Sequence, residues 1–309
     1  MNKHATAILG ARGYTGVELA RILLKHPHAE LVACFATDSE FSLGDYLPEE
    51  KAAKVPVKPM GELEAVAKTV DTFFLATPAE VSIEVTPKLL AAGCKVVDLS
   101  GAFRLKGATK AETLKLYKEW YGLDHAHPEL VESADFGLVP WAGPSTSKLV
   151  ANPGCYATSV LMALLPLVKE KLIDPMTLVI DAKSGTTGAG RKASENLLFT
   201  EVEGECLPYK VGAHQHYPEI CGYVGKFANA QIDPLLTTHL LNVRRGIISG
   251  LYARVASGVT TNQLEAAYAK YYGSYPLTKV GALTPNKERS DLSLKKVTGS
   301  ARTHIRFKL

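Results

Sequence analysis

The chain has 309 residues, 46% hydrophobic and 21% charged, with a formal charge of +4. That size suggests two domains and a core that needs no disulfide or metal staple. The composition excludes disorder, collagen and coiled coil, no apolar run can span a bilayer, the N-terminus lacks a signal peptide's apolar core, and the mild positive charge falls short of a nucleic-acid footprint while suiting anionic substrates.

The first third alternates strands and helices. Residues 5–9 form a short apolar strand, followed by the glycine-rich turn Gly10-Ala11-Arg12-Gly13-Tyr14-Thr15-Gly16. Residues 17–25 carry apolar side chains at helical spacing and stop at His26-Pro27, because proline cannot continue a helix. Residues 30–36 are a second strand, 63–68 a helix, 71–77 a strand, 81–92 a helix and 94–99 a further strand. Such alternation predicts βαβ units and a mainly parallel sheet.

The middle changes character. Residues 136–141 and 148–150 read as short strands, 158–171 as a strong helix and 176–182 as a strand leading into the loop 184–190. Residues 232–241 and 246–256 read as strands able to pair antiparallel. Residues 261–272 form a helix capped by Thr260 or Thr261, and 304–309 a final strand. The boundary between the halves falls near Leu149 to Asn152, giving domains of 1–150 and 151–309.

The turn Gly10 to Gly16 follows the first strand and opens a helix, the context of a dinucleotide pyrophosphate site. Its spacing is G-x-x-G-x-x-G, so a tight turn with no ligand is the competing reading. The second strand ends in Ala36-Thr37-Asp38-Ser39, without an acid at the strand end itself. Thr37, Ser39 and Arg12 would accept a 2′-phosphate and favour NADP, unless Asp38 serves the ribose of NAD.

Five cysteines occur: Cys34, Cys94, Cys155, Cys206 and Cys221. Their odd number and the lack of Cys-x-x-Cys or His-x-x-x-His argue against a disulfide framework and a zinc site, and for a reduced, cytoplasmic compartment. Asn152-Pro153-Gly154-Cys155-Tyr156 sets Cys155 just before a helix, where amides and dipole favour a thiolate. The alternative is an inert cysteine in a capping turn. His214 and His216 fall on one side of a segment read as extended, and either could exchange protons with a thiol or carbonyl. A metal is a rival reading without a third ligand, and a surface pair is another. Arg104, Arg191 and Arg244-Arg245 are cations suited to phosphate or carboxylate, or simply solvated.

Together these segments resemble N-acetyl-γ-glutamyl-phosphate reductases. The resemblance covers nearly the whole chain: Gly10 to Gly16, Leu75-Ala76-Thr77-Pro78, Val97-Asp98-Leu99-Ser100-Gly101-Ala102-Phe103-Arg104, Asn152-Pro153-Gly154-Cys155-Tyr156, Ser184-Gly185 with Gly188-Ala189-Gly190-Arg191, His214 to Ile220, and Arg245-Gly246-Ile247. It implies an α/β chain: a Rossmann-type NADP-binding domain plus an α+β catalytic and dimerisation domain. It implies Cys155 as nucleophile, His216 before His214 as acid–base, and Asn152 with the Cys155 amide for the oxyanion. Ser184, Gly185 and Gly188 would lie near the nicotinamide, Arg104 on phosphate and Arg245 on the substrate carboxylate.

The expected substrate is a small acyl phosphate, with no metal, nucleic acid or membrane partner, and the expected assembly is a homo-oligomer, a dimer or tetramer. Departures from the family are Gln215 between the histidines, residues 237–244, and Ala301 after Gly299-Ser300. Rival expectations are a related dehydrogenase of aspartyl or N-acetyl-aminoadipyl phosphate, and an inactive nucleotide-binding homologue. Relatives continue beyond the equivalent of Leu309 into an Asp-Asn-Leu segment and a helix, so an uncovered apolar patch on the first domain is expected.

Overall fold

Short apolar strands between helices can bury both faces only as the middle layer of a parallel sheet. The computed structural model describes residues 3–38 and 40–309 and builds that layer from the first half of the chain. Ser39, expected at the cofactor, lies outside the described residues. Contacts divide the chain into one unit of residues 1–138 and 142–153, and another of 139–141 and 154–309.

The first unit holds β1 (His4–Leu9), α1 (Tyr14–Lys25), β2 (Ala29–Phe35), β3 (Val57–Lys58), α2 (Leu63–Ala67), β4 (Thr72–Leu75), α3 (Ala79–Ala91), β5 (Lys95–Asp98), α4 (Lys110–Tyr121), α5 (Pro128–Ser133), β6 (Asp135–Phe136) and β7 (Leu149–Ala151). Its sheet runs β3-β2-β1-β4-β5-β7-β6, parallel throughout. Alternate residues of β1 enter separate cores. Ala7 and Leu9 join Phe35, Phe73, Leu89 and Tyr117 on one face, and Ile8 joins Val17, Ala20 and Leu23 of α1 on the other.

The strand order reverses between β1 and β4, where open α/β sheets bind ligands. Two glycines make that point possible. Gly10 has φ +85° and lies so near β4 that a Cβ would stand 2.4 Å from Ala76 O. At Gly16 a Cβ would stand 2.3 Å from Gly10 O, so α1 sits directly on the turn. Gly13, by contrast, has room for a Cβ, 3.5 Å from its nearest neighbour.

The strand expected over 136–141 ends at Phe136, and Val139–Trp141 leave to pack in the second unit, where Trp141 stacks on Tyr271 and donates to Tyr272 Oη at 2.8 Å. The helix α4 was not expected. Thr109 Oγ1 accepts from Glu112 N while Glu112 Oε2 accepts from Ala108 N, a Thr-x-x-Glu start that the sequence displays.

The second unit contains α6 (Cys155–Lys169), β8 (Val179–Gly185), α7 (Phe199–Val202), β9 (Cys206–Pro208), α8 (His216–Ala228), β10 (Leu235–Leu241), β11 (Ile247–Tyr252), α9 (Thr261–Tyr272), β12 (Thr278–Ala282), α10 (Glu288–Asp291) and β13 (Thr303–Phe307). Its main sheet is β11-β8-β10-β9, and β12 pairs parallel with β13. The expected antiparallel pairing of β10 with β11 does not occur, because β8 lies between them, parallel to β10 and antiparallel to β11. The connection after β10 crosses the end of β8, where Gly185 N donates to Gly246 O at 2.9 Å. Among the described residues no helix is long and apolar enough to cross a membrane.

Replacing Gly16 by Ala should destabilise the first unit by about 1–3 kcal/mol, since backbone and not a side-chain tip meets the new methyl. Gly61→Ala, at a site with nothing within 4 Å, should change stability by less than about 0.5 kcal/mol. Thermal denaturation of both variants checks this, and equal melting temperatures would contradict the packing described.

Candidate active site

Cys155 is the first residue of α6, three residues earlier than periodicity alone suggests, and Gly154 is the N-cap, with φ −63° and no side-chain cap. The first turn of α6 contains no acid, so amides and dipole meet an exposed thiol without a competing carboxylate on that helix. Of the other cysteines, Cys206 is also exposed but lies on β9 and starts no helix. Cys34 and Cys94 are buried, and desolvation pushes the Cys34 thiol up to about 12. Cys221 is pushed up to about 11 for the same reason.

The histidine segment is not extended. His216 begins α8, with Pro218 in its first turn, where proline lacks no needed hydrogen bond. The helix brings His216 against the cysteine turn: a Cβ on Gly154 would lie 2.2 Å from His216 Nε2. One turn on, Glu219 is 1% exposed and its Oε1 accepts the Gly154 amide at 2.7 Å. Nothing in the sequence alone gives Glu219 a role. Its i, i+3 spacing from His216 marks it only once the segment is known to be helical.

His214 has a different character. Its Nδ1 accepts the His216 amide at 3.1 Å, and its ring meets Tyr156 and Tyr209 edge-on. That bond assigns the proton of the neutral ring to Nε2. Burial, then the positive Lys210, push its pKa down to about 4. His214 is therefore neutral across the physiological range. Beside it Tyr209 Oη donates to Tyr156 Oη at 3.2 Å, and Tyr156 Oη to Ser184 Oγ at 2.8 Å. Burial raises both phenols, so they remain protonated donors.

Ser184 and Gly185 end β8, and Gly185 packs backbone to backbone, with a Cβ position 2.7 Å from Arg245 N. Gly188 faces Ser184 with ordinary spacing. Cys155, Thr158, Lys183, Arg245 and Arg302 line one groove of about 890 Å³. The second unit thus brings together Cys155, His214, His216, Ser184 and Gly185, and sets Arg245 on the same groove as the thiol.

The first unit carries the other expected residues. Ala11, Tyr14 and Thr15 lie in the turn and first helical residues between Gly10 and Gly16. Arg12 Nε pairs with Asp38 Oδ2 at 3.2 Å, both half-exposed, just past β2 beside Thr37. Asn152 Nδ2 donates to Pro153 O at 3.2 Å. Arg104, expected on phosphate, is buried and donates through Nε to Asn152 O and through Nη2 to Leu99 O, each at 2.7 Å. It clamps the loop that leads to the cysteine. Among the described residues no three His, Cys, Asp or Glu side chains gather as a metal-ligand group.

The depressed His214 has a consequence for stability. Its unfolded value is near 6.5, so between about 6.5 and 4 the unfolded chain binds the extra proton and stability falls with falling pH. The full loss is about 3 kcal/mol for a shift of this size. In His214→Gln the decline in melting temperature across that window should be shallower than in the parent. Parallel declines would contradict the assignment.

Two family models match the chain: the semialdehyde dehydrogenase NAD-binding domain over residues 5–134 and the semialdehyde dehydrogenase dimerisation domain over residues 155–309. The N-acetyl-gamma-glutamyl-phosphate reductase of Geobacillus thermodenitrificans is 39% identical over 287 residues, covering 88% of this chain and 81% of that protein. The Escherichia coli protein of the same name is 39% identical over 283 residues, 89% of this chain and 80% of that one. Two aspartate semialdehyde dehydrogenases share the fold. The Francisella tularensis structure has a TM-score of 0.67 at 11% identity, covering 97% of this chain and 88% of that one. The Candida albicans structure with NADP has a TM-score of 0.61 at 15% identity, covering 97% and 87%. The chain belongs to the semialdehyde dehydrogenase family and, within it, to the N-acetyl-gamma-glutamyl-phosphate reductases.

Proposed function

We propose that the protein reduces N-acetyl-γ-glutamyl phosphate to N-acetylglutamate 5-semialdehyde and phosphate, the reductive step of arginine biosynthesis, through a thioester on Cys155. One observation supports this above the rest: an exposed cysteine at a helix start, with a buried histidine ring against the preceding residue. That pairing of nucleophile and base is what acyl transfer requires.

His216 is the proton carrier, because His214 stays neutral and is occupied at Nδ1 by the His216 amide. His216 takes the Cys155 proton as sulfur attacks the γ-carbonyl carbon. The C–O bond to phosphate then breaks, and the leaving phosphate takes that proton. The Cys155 amide at the start of α6, with Asn152, steadies the oxyanion. A reduced nicotinamide dinucleotide, when bound, supplies the hydride that takes the thioester carbon to the aldehyde level. The C–S bond then breaks, the aldehyde leaves, and His216 returns a solvent proton to Cys155. Arg245, on the groove that Cys155 lines, holds the substrate carboxylate. Arg104, expected on phosphate, contributes by clamping the loop that leads to Cys155.

The turn Gly10 to Gly16 fits a pyrophosphate: its backbone lies bare at the reversal of strand order and at a helix start. Residues 1–150 are then the cofactor-binding domain and 151–309 the catalytic and dimerisation domain. Ser184, Gly185 and Gly188 would border the nicotinamide when the cofactor is bound. NADP is the preferred form, since Arg12 already answers the charge of Asp38 and Thr37 adds a hydroxyl where a 2′-phosphate would sit. The protein works as a homo-oligomer, a dimer or tetramer, in a reducing cytoplasmic compartment that keeps Cys155 a thiol.

The test is the reverse reaction, reduction of NADP⁺ by N-acetylglutamate 5-semialdehyde. It should require inorganic phosphate, survive chelators and exceed the rate with aspartate semialdehyde. Cys155→Ala should lower kcat by about a thousandfold or more. Arg12→Ala should raise KM for NADP⁺ by about ten- to a hundredfold and that for NAD⁺ far less. Full activity in Cys155→Ala, or turnover without phosphate, would contradict the reading.

A further inference from the structure

We infer that Glu219 is a positioning residue: by accepting the Gly154 amide it fixes the start of α6 and so the aim of Cys155 relative to His216. The inference rests on the reading of Cys155 and His216 given above.

The start of a helix leaves amides without partners inside the helix. In a capping box the third helical residue, a Glu or Gln, reaches back to the N-cap amide. In α6 that third residue is Ala157, which has no such group, and Gly154 has no capping side chain of its own. Glu219 supplies the missing acceptor from another helix. Its Oε1 lies 2.7 Å from Gly154 N, and the residue is 1% exposed.

The arrangement divides two tasks. A carboxylate on the third residue of α6 would lie beside the reacting thiol and oppose its ionisation. Placed on α8, the carboxylate bonds the amide before Cys155 and leaves the first turn of α6 without an acid. The same helix carries His216 three residues earlier, and the two side chains close on Gly154 together. His216 Nε2 and Glu219 Oε1 are therefore set by one rigid element. A shift of α8 moves the proton acceptor and the cap in concert, which keeps thiol and imidazole in register. The bond needs an acceptor oxygen and not a charge, so glutamine can replace glutamate.

The experiment compares Glu219→Ala and Glu219→Gln with the parent chain, by kcat and KM in the reverse assay and by iodoacetamide alkylation of Cys155 followed by peptide mass spectrometry. Misplacing a nucleophile by an ångström costs about a hundredfold in rate. Glu219→Ala should therefore lose about ten- to a hundredfold in kcat with KM within about threefold, and alkylate at Cys155 with an altered rate. Glu219→Gln should recover kcat to within about fivefold of the parent, as a retained hydrogen bond predicts. Unchanged kcat and alkylation in Glu219→Ala would overturn the inference, as would a Glu219→Gln as impaired as Glu219→Ala. If Glu219→Ala does not fold, the Glu219→Gln arm still decides. Failure of the reductase reading itself would show separately, as full activity in Cys155→Ala.

Discussion

At Gly154 the His216 ring occupies the space that any other residue would need for its side chain. A Cβ there would lie 2.2 Å from His216 Nε2 and within reach of the rest of that ring. The Gly154 amide is held by Glu219, and its carbonyl accepts from Thr158 N and Oγ1 as α6 begins. The start of α6 and the start of α8 are thus locked by one point of backbone contact. Cys155 follows immediately in the chain, so its position is inherited from that contact. A methyl group added here would push the imidazole or the helix aside.

The same device recurs at the cofactor turn. Gly10 lets β1 end against Ala76, and Gly16 lets α1 begin on Gly10 O. In both places a helix start is brought onto a bare turn, and in the proposed reading the helix amides would meet a pyrophosphate in one unit and the reacting sulfur in the other. Buried Tyr156 and His214, with the half-buried Tyr209, form a chain of neutral donors and rings that starts from the residue after Cys155. Such a chain holds geometry without adding charge beside the thiol.

Much of this is legible in the residues. Parallel strands announced themselves as apolar runs, and the first glycine turn by its place between strand and helix. The Asn-Pro-Gly-Cys element announced a helix start at Cys155, which the structure has, but not by itself whether that cysteine reacts. What stayed hidden has physical causes. Pro218 reads as a break, yet proline is at ease in a first helical turn, so α8 looked extended and Glu219 went unassigned. The neighbours of β10 and β11 could not be read because β8, distant in sequence, comes between them. The bonds of Arg104 to Asn152 O and Leu99 O depend on a tertiary approach that no local pattern encodes. His214 and His216 were indistinguishable until burial and the bond between them separated a fixed neutral ring from one set against the cysteine turn.

The central claim is that carbon is held on Cys155 between phosphate transfer and hydride transfer. Rapid mixing of the enzyme with N-acetylglutamate 5-semialdehyde and NADP⁺ in phosphate-free buffer isolates that state, because the thioester then has no phosphate to receive it. The account predicts a burst of NADPH equal to the concentration of active sites, with one N-acetylglutamyl group on the peptide that contains Cys155. Absence of both burst and adduct, or an adduct on any other residue, would contradict it.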